Sequence, residues 1–198
     1  MSTMLRLGPT DHGRDLSDDE FFSGDFEEGF QYELIDGSLC VSPAANYSDE
    51  VYEDFISDTL KAWARLHPGT IGRVARTSRV FVPRRRKSTA PEPDVAAYPV
   101  SDTSLHTKWQ DISPLIVVEI MKEDWQKDMV RNVELYGLVP SILEYWVMDV
   151  RKDLDDPTLR VFRRDAGDQA WSTAEYAADA TYTTSLLPGF ELPVMPKW

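Results

Sequence analysis

The chain has 198 residues, of which 42% are hydrophobic and 11% aromatic, which is enough to bury the core of one domain and excludes a disordered chain. The 34 acidic residues against 21 Lys and Arg give a formal net charge of −13, so the surface as a whole repels phosphate, and contact with nucleic acid requires a local basic patch or a bound cation. The single Cys40 excludes an intramolecular disulfide, and no apolar run approaches the ~20 residues of a membrane span, so we expect a cytoplasmic protein without a membrane segment.

The N-terminal part combines an irregular start with a clear hairpin. Residues 1–16 are polar and lack periodicity, which predicts a flexible arm ahead of a single domain over residues 17–198. Ser17 and Glu20 have the spacing of a capping box, so a short helix should follow. Residues 32–41 alternate around a central Asp-Gly pair, which predicts a β-hairpin.

The next segments predict a helix followed by strands. An apolar stripe recurs at helical spacing over residues 48–66, where we expect the longest helix of the chain. Residues 72–82 are rich in Val, Thr and Phe and predict one or two strands, and residues 94–98 predict another. The loop between them, residues 83–93, carries three prolines and a cluster of basic residues.

The second half of the chain contains two strongly apolar segments. Residues 115–120 and residues 144–149 are continuous apolar runs that include a carboxylate near one end, as expected for strands buried on both faces. A helix is predicted between them over residues 125–136, and strands near 158–164 and 170–176 should form a hairpin. This order of elements predicts an α/β fold with a mixed sheet flanked by helices.

Asp94 and Glu119 are the candidate metal ligands. Asp94 opens a predicted strand, and Glu119 lies near the end of the most apolar strand, where a carboxylate is costly unless it is paired or bound to a metal. Two acids on neighbouring strands form an oxygen site that suits Mg²⁺ or Mn²⁺. The alternative from the residues alone is that both are solvated strand-end acids.

Several short segments follow one another along the chain and together cover roughly residues 17–195. They are Tyr32-Glu33-Leu34-Ile35-Asp36-Gly37, Ser42-Pro43, Pro93-Asp94-Val95, Val117-Val118-Glu119-Ile120, Asp128 with Glu134-Leu135-Tyr136, Glu144-Tyr145-Trp146-Val147-Met148-Asp149, and Leu187-Pro188-Gly189-Phe190. In this order they resemble the PD-(D/E)XK nuclease signature and, more narrowly, the Uma-two family of putative restriction endonucleases.

The resemblance implies a restriction-endonuclease-like fold with added β-hairpins, DNA as the substrate and a homodimeric assembly. It implies Mg²⁺ or Mn²⁺ bound by Asp94 and Glu119. It also suggests a contribution from Glu33 on the first strand, for which a solvated strand face is the alternative.

The sequence departs from the signature at its catalytic lysine. Met121 stands two residues after the glutamate, where the signature has a lysine, and Lys122 should point to the other face of a regular strand. Family members also tend to carry a lysine on the following helix, and Asn132 aligns with that position. Lys122, Lys127 or Arg131 is therefore the candidate replacement for the missing charge.

Two further groups of residues bear on binding or catalysis. The run Arg84-Arg85-Arg86-Lys87 either grips a phosphate backbone or is a solvated loop tip, and the loop lacks the interleaved aromatics of a base-stacking platform. His12, His67 and His106 share no metal-ligand spacing, so a zinc site is not expected.

Three functions remain open from the sequence. The first is a divalent-metal-dependent DNA endonuclease, in which Asp94 and Glu119 bind the metal and Lys122 and Glu33 assist. The second is a catalytically inactive protein of the same fold that acts as a binding or regulatory module, which the missing lysine and the negative charge both favour. The third is an enzyme that hydrolyses a different phosphoester.

Overall fold

The computed structural model describes residues 5–44, 47–100, 109–122, 124–168 and 170–196. Its helices are α1 (Asp18–Phe22), α2 (Tyr47–Leu66) and α3 (Asn132–Gly137), and a π-helical turn (Lys127–Arg131) runs directly into α3. Its strands are β1 (Arg6–Leu7), β2 (Asp25–Phe26), β3 (Phe30–Ile35), β4 (Ser38–Pro43), β5 (Ile71–Arg76), β6 (Val95–Pro99), β7 (Ile116–Met121), β8 (Glu144–Asp149), β9 (Thr158–Arg163), β10 (Ser172–Tyr176), β11 (Thr181–Tyr182) and β12 (Leu192–Pro193). Pro9–Asp11 and Trp109–Asp111 form 3₁₀ turns.

A six-stranded mixed sheet forms the centre of the fold, with the strand order β10-β9-β8-β7-β6-β5. Strands β7 and β8 run parallel, and the other neighbouring pairs of this sheet are antiparallel. All six residues of β7 are buried, as a central strand covered on both faces requires. The predicted α/β fold with a mixed sheet is confirmed, and so are the strands predicted at β6 to β10.

Alternate residues of β7 face two different apolar clusters. Val118 packs in the larger cluster, to which α2 contributes its buried stripe. Val117 and Met121 pack on the opposite face against Leu135 of α3. Because side chains alternate along a strand, Glu119 points to this second face, which the π-helical turn and α3 cover.

The hairpin of β3 and β4 forms where the sequence predicts it. Asp36 and Gly37 make its turn with φ of 51° and 74°, the left-handed conformation that a two-residue turn of this kind requires. Ala90 N donates to Leu34 O at 2.6 Å, so the segment before β6 attaches to this hairpin. The hairpin thereby lies close to the start of β6 and to Asp94.

Residues 5–16 are packed against the hairpin, which corrects the expectation of a flexible arm; residues 1–4 lie outside the described chain. Leu7 and Leu16 are buried in a third apolar cluster with Phe21 of α1. Leu16 N also donates to Gly37 O at 2.8 Å. The two leucines are spaced too irregularly to produce a periodic pattern, so the sequence gives no sign of their burial.

Strand β5 ends at Arg76, earlier than the predicted limit at residue 82. Thr77 has a φ of 51°, which turns the chain out of the sheet. Beyond this turn, Val80 N donates to Pro91 O at 2.9 Å and Val82 N donates to Thr89 O at 3.0 Å. Val80 and Val82 are both buried, so these apolar residues pack in the core although β5 does not continue through them.

Within the described segments, no helix combines the length and the apolar character needed to cross a membrane.

Candidate functional site

The structure brings Asp94 and Glu119 together across neighbouring strands. Val95 pairs with Val118 in the antiparallel ladder of β6 and β7, so Asp94, one residue earlier, lies opposite Glu119, one residue later. Residues directly opposite in such a ladder project from the same face. Asp94 Oδ2 accepts a hydrogen bond of 2.6 Å from Ile120 N, which fixes its carboxylate against β7. The two candidate ligands therefore share one end of one sheet face.

Glu119 is held by two neutral donors from the covering helix. Tyr136 donates its hydroxyl to Glu119 Oε1 at 2.8 Å, and Asn132 donates its side-chain amide to the same oxygen at 3.0 Å. Asn132 also donates to Asp128 Oδ1 at 3.3 Å. The resemblance leads us to expect a lysine at position 132, on the helix that follows β7. In this chain the neutral amide of Asn132 contacts Glu119 there instead.

Burial makes the negative charge of this site unfavourable. Burial raises the pKa of Asp94 to about 6, and the nearby Glu53 contributes to this rise. Burial likewise raises the pKa of Asp128 to about 7 and that of Glu119 well above its usual range, and Asp94 adds repulsion to both. A cluster of buried acids with raised pKa values is either protonated or neutralised by a cation.

Lys127 is the cation whose charge reaches the most members of this cluster. Its charge lowers the pKa values of Asp94, Glu119 and Asp128 against the effect of burial. Its Nζ lies 3.6 Å from Glu33 Oε1. Burial lowers the pKa of Lys127, but Glu33, Glu119 and Asp128 outweigh this effect and hold it above its usual value, so the ammonium stays charged.

The π-helical turn Lys127–Arg131 helps explain why this lysine faces the site. A π-helical turn adds a residue to the helical repeat, so it shifts the faces that preceding and following side chains present. In an ideal α-helix, Lys127 would lie about 140° around the axis from Asn132. The extra residue of the π-helical turn brings Lys127 back toward the side of the helix that carries Asn132.

Glu33 is buried, with 3% of its surface exposed, which excludes the solvated-face alternative. Its Oε1 accepts from Glu92 N at 3.1 Å, and its Oε2 accepts from Arg131 Nη2 at 2.7 Å. Burial raises its pKa, but Lys127, Arg131 and the Glu92 amide bring it below the usual value. Glu33 therefore stays ionised and holds Lys127 and Arg131 beside the acid cluster.

Lys122 lies on the side of α2, as the strand alternation predicts. Its Nζ is 3.4 Å from Glu53 Oε1, and Glu53 is also bound by Arg76 Nη2 at 2.7 Å. The charge of Lys122 still lowers the pKa of Asp94. Met121, at the signature's lysine position, is buried in the apolar cluster under α3.

Sequence reasoning missed Glu53 and the electrostatic part played by Asp128. Glu53 is buried on α2 with 2% of its surface exposed, and it acts on Asp94. The sequence does contain a sign that Glu53 is buried. Glu53 lies three residues before Ile56 and seven before Leu60, on the buried stripe of the helix. A carboxylate within such a stripe needs a partner, which Arg76 and Lys122 supply here.

The residues present fit a hard divalent cation. Mg²⁺ is typically held by one or two carboxylates and keeps several waters, so Asp94 and Glu119 suffice as protein ligands. A divalent ion would also offset the repulsion among the buried acids. Among the described residues, no group of three or more His, Cys, Asp and Glu side chains is arranged to hold a metal.

The histidines that the structure describes lie elsewhere. His12 Nδ1 is 3.1 Å from Val41 N beside the hairpin, and His67 stacks on Trp63 at the end of α2. His106 lies outside the described residues.

Comparison with known proteins gives a family and a structural relative. The fold is similar to that of a crystal structure described as a putative nuclease belonging to DUF820 from Anabaena variabilis ATCC 29413, with a TM-score of 0.67 and 18% sequence identity over 90% of this chain and 95% of that chain. No curated protein sequence matches this chain. The family profile described as "Uma2: Putative restriction endonuclease" matches residues 18–195. The chain therefore belongs to the Uma2 family.

Proposed function

We propose that this protein is a divalent-metal-dependent endonuclease that hydrolyses phosphodiester bonds in DNA. The observation that carries the proposal is the pair of buried carboxylates, Asp94 and Glu119, opposed on neighbouring strands under conditions that raise both pKa values. The family description and the nuclease-like fold support this class of reaction. Mg²⁺ or Mn²⁺ is the metal that the oxygen ligands favour.

Asp94 and Glu119 would hold the metal, with Glu119 oriented by its hydrogen bonds from Asn132 and Tyr136. The bound metal would lower the pKa of a water and stabilise charge on the phosphate. Asp94 is kept in place by the Ile120 amide. Both carboxylates must be ionised to bind a cation, so their raised pKa values couple metal binding to proton release.

Lys127 is the best-supported replacement for the missing lysine. Its charge acts on Asp94 and Glu119, and Glu33 fixes its position at 3.6 Å. Lys122 is directed to Glu53 on the other face, and Arg131 is committed to Glu33 at 2.7 Å. Lys127 would supply the positive charge that orients the attacking water and acidifies it.

A catalytically inactive binding or regulatory protein is the second candidate. The neutral amide of Asn132 at 3.0 Å from Glu119 favours it, since an amide cannot supply the charge of the family's lysine. The ion pair of Lys127 with Glu33 also reduces the charge that Lys127 can direct at a phosphate. Losing one such electrostatic contact typically lowers the rate by about a hundred- to a thousandfold.

The proposal is tested by incubating supercoiled plasmid with the protein in Mn²⁺, Mg²⁺ or EDTA. The protein should nick the plasmid with Mn²⁺ but not with EDTA, and Asp94→Asn should abolish cutting while Asp179→Asn, an exposed acid, should not. Equal cutting by the Asp94→Asn variant would contradict the proposed site. Cleavage of bis(p-nitrophenyl) phosphate without any cutting of DNA would instead support a different phosphoester substrate.

A homodimer is part of this proposal, because the family resemblance implies one. Sedimentation velocity of the purified protein would give its mass in solution. A single species of the 22.6 kDa chain would rule the dimer out.

A further inference from the structure

The basic loop, residues 84–87, has a defined position on the protein. Its C-terminal flank is bound to the β3–β4 turn, since Gly37 N donates to Ser88 O at 2.9 Å and Asp36 N donates to Thr89 Oγ1 at 3.0 Å. These bonds hold the loop against the hairpin that carries Glu33. The loop is therefore a built part of the surface and not a freely solvated tip.

Arg85 ties the loop to the rest of the site. Arg85 Nε donates to Asp36 Oδ1 at 2.8 Å, and its Nη2 binds the other oxygen of the same carboxylate. Its Nη1 lies 3.2 Å from Glu134 Oε1 on α3. The planar guanidinium thus links the hairpin turn, the loop and the helix.

The other cations of the loop are exposed to solvent and line a pocket. Arg84, Arg86 and Lys87 are exposed, and with Arg85 and Asp36 they line a surface pocket of ≈ 460 Å³. Four cations and one carboxylate line this space, in a chain whose formal net charge is −13. The pocket is therefore positively charged in a protein that is negatively charged overall, so it suits an anion.

Two details of the loop favour an exchangeable anion. Arg84 has a φ of 65°, a left-handed backbone conformation that residues other than Gly rarely adopt. Residues with such backbone strain are often found where a protein holds a ligand. Lys87 pairs with Asp15 at 3.1 Å, but both side chains are more than half exposed. Exposed ion pairs of this kind are weak and screened by salt, so a phosphate can displace the carboxylate.

The basic loop lies on the same hairpin and helix as the candidate site. Glu33 and Arg131 form one link between β3 and the following helix, and Asp36, Arg85 and Glu134 form a second link. The two links are three residues apart along the hairpin, or about 10 Å.

We propose that the basic loop binds the phosphate backbone of double-helical DNA near the bond that is cut. This inference rests on the proposed function for the location of that bond. The loop has no aromatic side chain on which unpaired bases could stack, which favours phosphate contacts with a duplex over recognition of single strands. Arg84 and Arg86 make these contacts, and Arg85 positions them.

Binding to a fluorescent duplex DNA in EDTA, measured by anisotropy over a range of salt concentrations, tests the loop without requiring cleavage. Arg84→Gly/Arg86→Ala removes two charges and keeps a residue that tolerates the left-handed backbone. It should weaken binding and reduce the slope of log K against log salt by about 1.8, at 0.9 for each lost phosphate contact. Arg84→Lys/Arg86→Lys should retain most of the slope.

Arg65→Ala/Arg73→Ala is the matched control, since both arginines are exposed and lie on α2 and β5. It removes the same charge and should leave the slope unchanged. An equal effect of both double variants, no effect of either, or tighter binding to single strands than to the duplex would overturn the inference. Duplex RNA is tested in the same way. If it binds as tightly as duplex DNA through the same arginines, the phosphate contact is supported, but the restriction of the inference to DNA is overturned.

Failure of the loop and failure of the nuclease proposal give different results. A protein that cuts plasmid with Mn²⁺ but shows no dependence on Arg84 and Arg86 for binding contradicts the loop alone. A protein that binds duplex through these arginines but never cuts contradicts the nuclease proposal alone.

Discussion

The side-chain amide of Asn132 contacts Glu119 Oε1 at 3.0 Å, at the helix position where the resemblance leads us to expect a lysine. A lysine in place of Asn132 would start from the same backbone position, beside the same carboxylate. The apolar stem would lie beside α3 and the ammonium would reach the acid cluster. In the proposed mechanism, position 132 is therefore where an added positive charge would strengthen catalysis.

We predict that Asn132→Lys raises the rate of plasmid cutting by about a hundred- to a thousandfold, which is the usual effect of one electrostatic contact in an active site. The added charge opposes the rise that burial causes in the pKa of Glu119. Single-turnover cleavage in Mn²⁺ measures the change. Asn132→Gln is the control, because it lengthens the side chain without adding charge, and an equal gain in that variant would contradict the prediction.

Met121→Lys should destabilise the protein, although it restores the signature's own lysine position. Met121 is 3% exposed and packs in an apolar cluster, so its replacement buries an ammonium among side chains such as Val117 and Leu135. The free energy of unfolding should fall by about 3 kcal/mol or more. Urea unfolding measures this free energy, and Met121→Leu is the control of similar volume. A stable and active Met121→Lys protein would contradict the prediction and would show that the ammonium reaches the carboxylates.

Lys127→Met should lower activity by about a hundred- to a thousandfold, and Lys127→Arg should retain part of it. Removal of the charge takes away the effect that lowers the pKa values of Asp94 and Glu119, so the acid limb of the pH–rate profile should move to higher pH. Lys61→Met, on the exposed face of α2, is the control. An unchanged profile in Lys127→Met would remove this lysine from the proposed mechanism.

Asp128 should make the metal-free protein less stable as the pH rises toward neutrality. Burial raises its pKa from 3.8 to about 7, so the folded state keeps a proton that the unfolded chain loses, and the free energy of unfolding falls across this interval. Asp128→Asn cannot ionise and should be more stable than the parent protein by more than about 1 kcal/mol at pH 8. The difference should shrink toward pH 4, where both states of the parent protein are protonated. Urea unfolding in EDTA at several pH values measures it, and a difference that does not vary with pH would contradict the assignment.

Binding of Mn²⁺ should stabilise the protein against heat. At about 100 times the dissociation constant, the free energy of unfolding rises by about 2.7 kcal/mol, which corresponds to about 5–10 °C in melting temperature for a chain of this size. Glu119→Gln should lose the shift, and Glu175→Gln, on the exposed edge strand β10, should keep it. A shift of equal size in Glu119→Gln would place the metal elsewhere.

The strongly patterned parts of the fold could be predicted from the sequence. The strand that carries Glu119 is an unbroken apolar run, and the hairpin turn at Asp36 and Gly37 has a strong local signal, so both lie where they were expected. Leu7 and Leu16 could not be assigned to the core, because they contact it without any regular spacing. A regular local pattern predicts secondary structure. The positions of irregular segments are set by tertiary contacts, which the local sequence does not reveal.

The candidate site was predicted in part for the same reason. Asp94 and Glu119 stand at strand ends, so their meeting follows from the pairing of β6 with β7. Glu53 approaches Asp94 from a helix 41 residues earlier in the chain, and no local pattern reports that contact. The position of Lys127 depends on the geometry of the π-helical turn, which residue type alone does not determine.

The π-helical turn makes one point of the chain near the candidate site tolerant of a change in length. Such a turn takes up one extra residue, so deleting one residue between Lys127 and Asn132 would restore a regular α-helix and leave the side chains before and after it in nearly the same orientation. Lys127 would then still face the acid cluster, whereas a deletion inside α3 would rotate Lys127 by about 100° relative to Tyr136. Among related chains, deletions of one residue should therefore occur in this turn and not in α3.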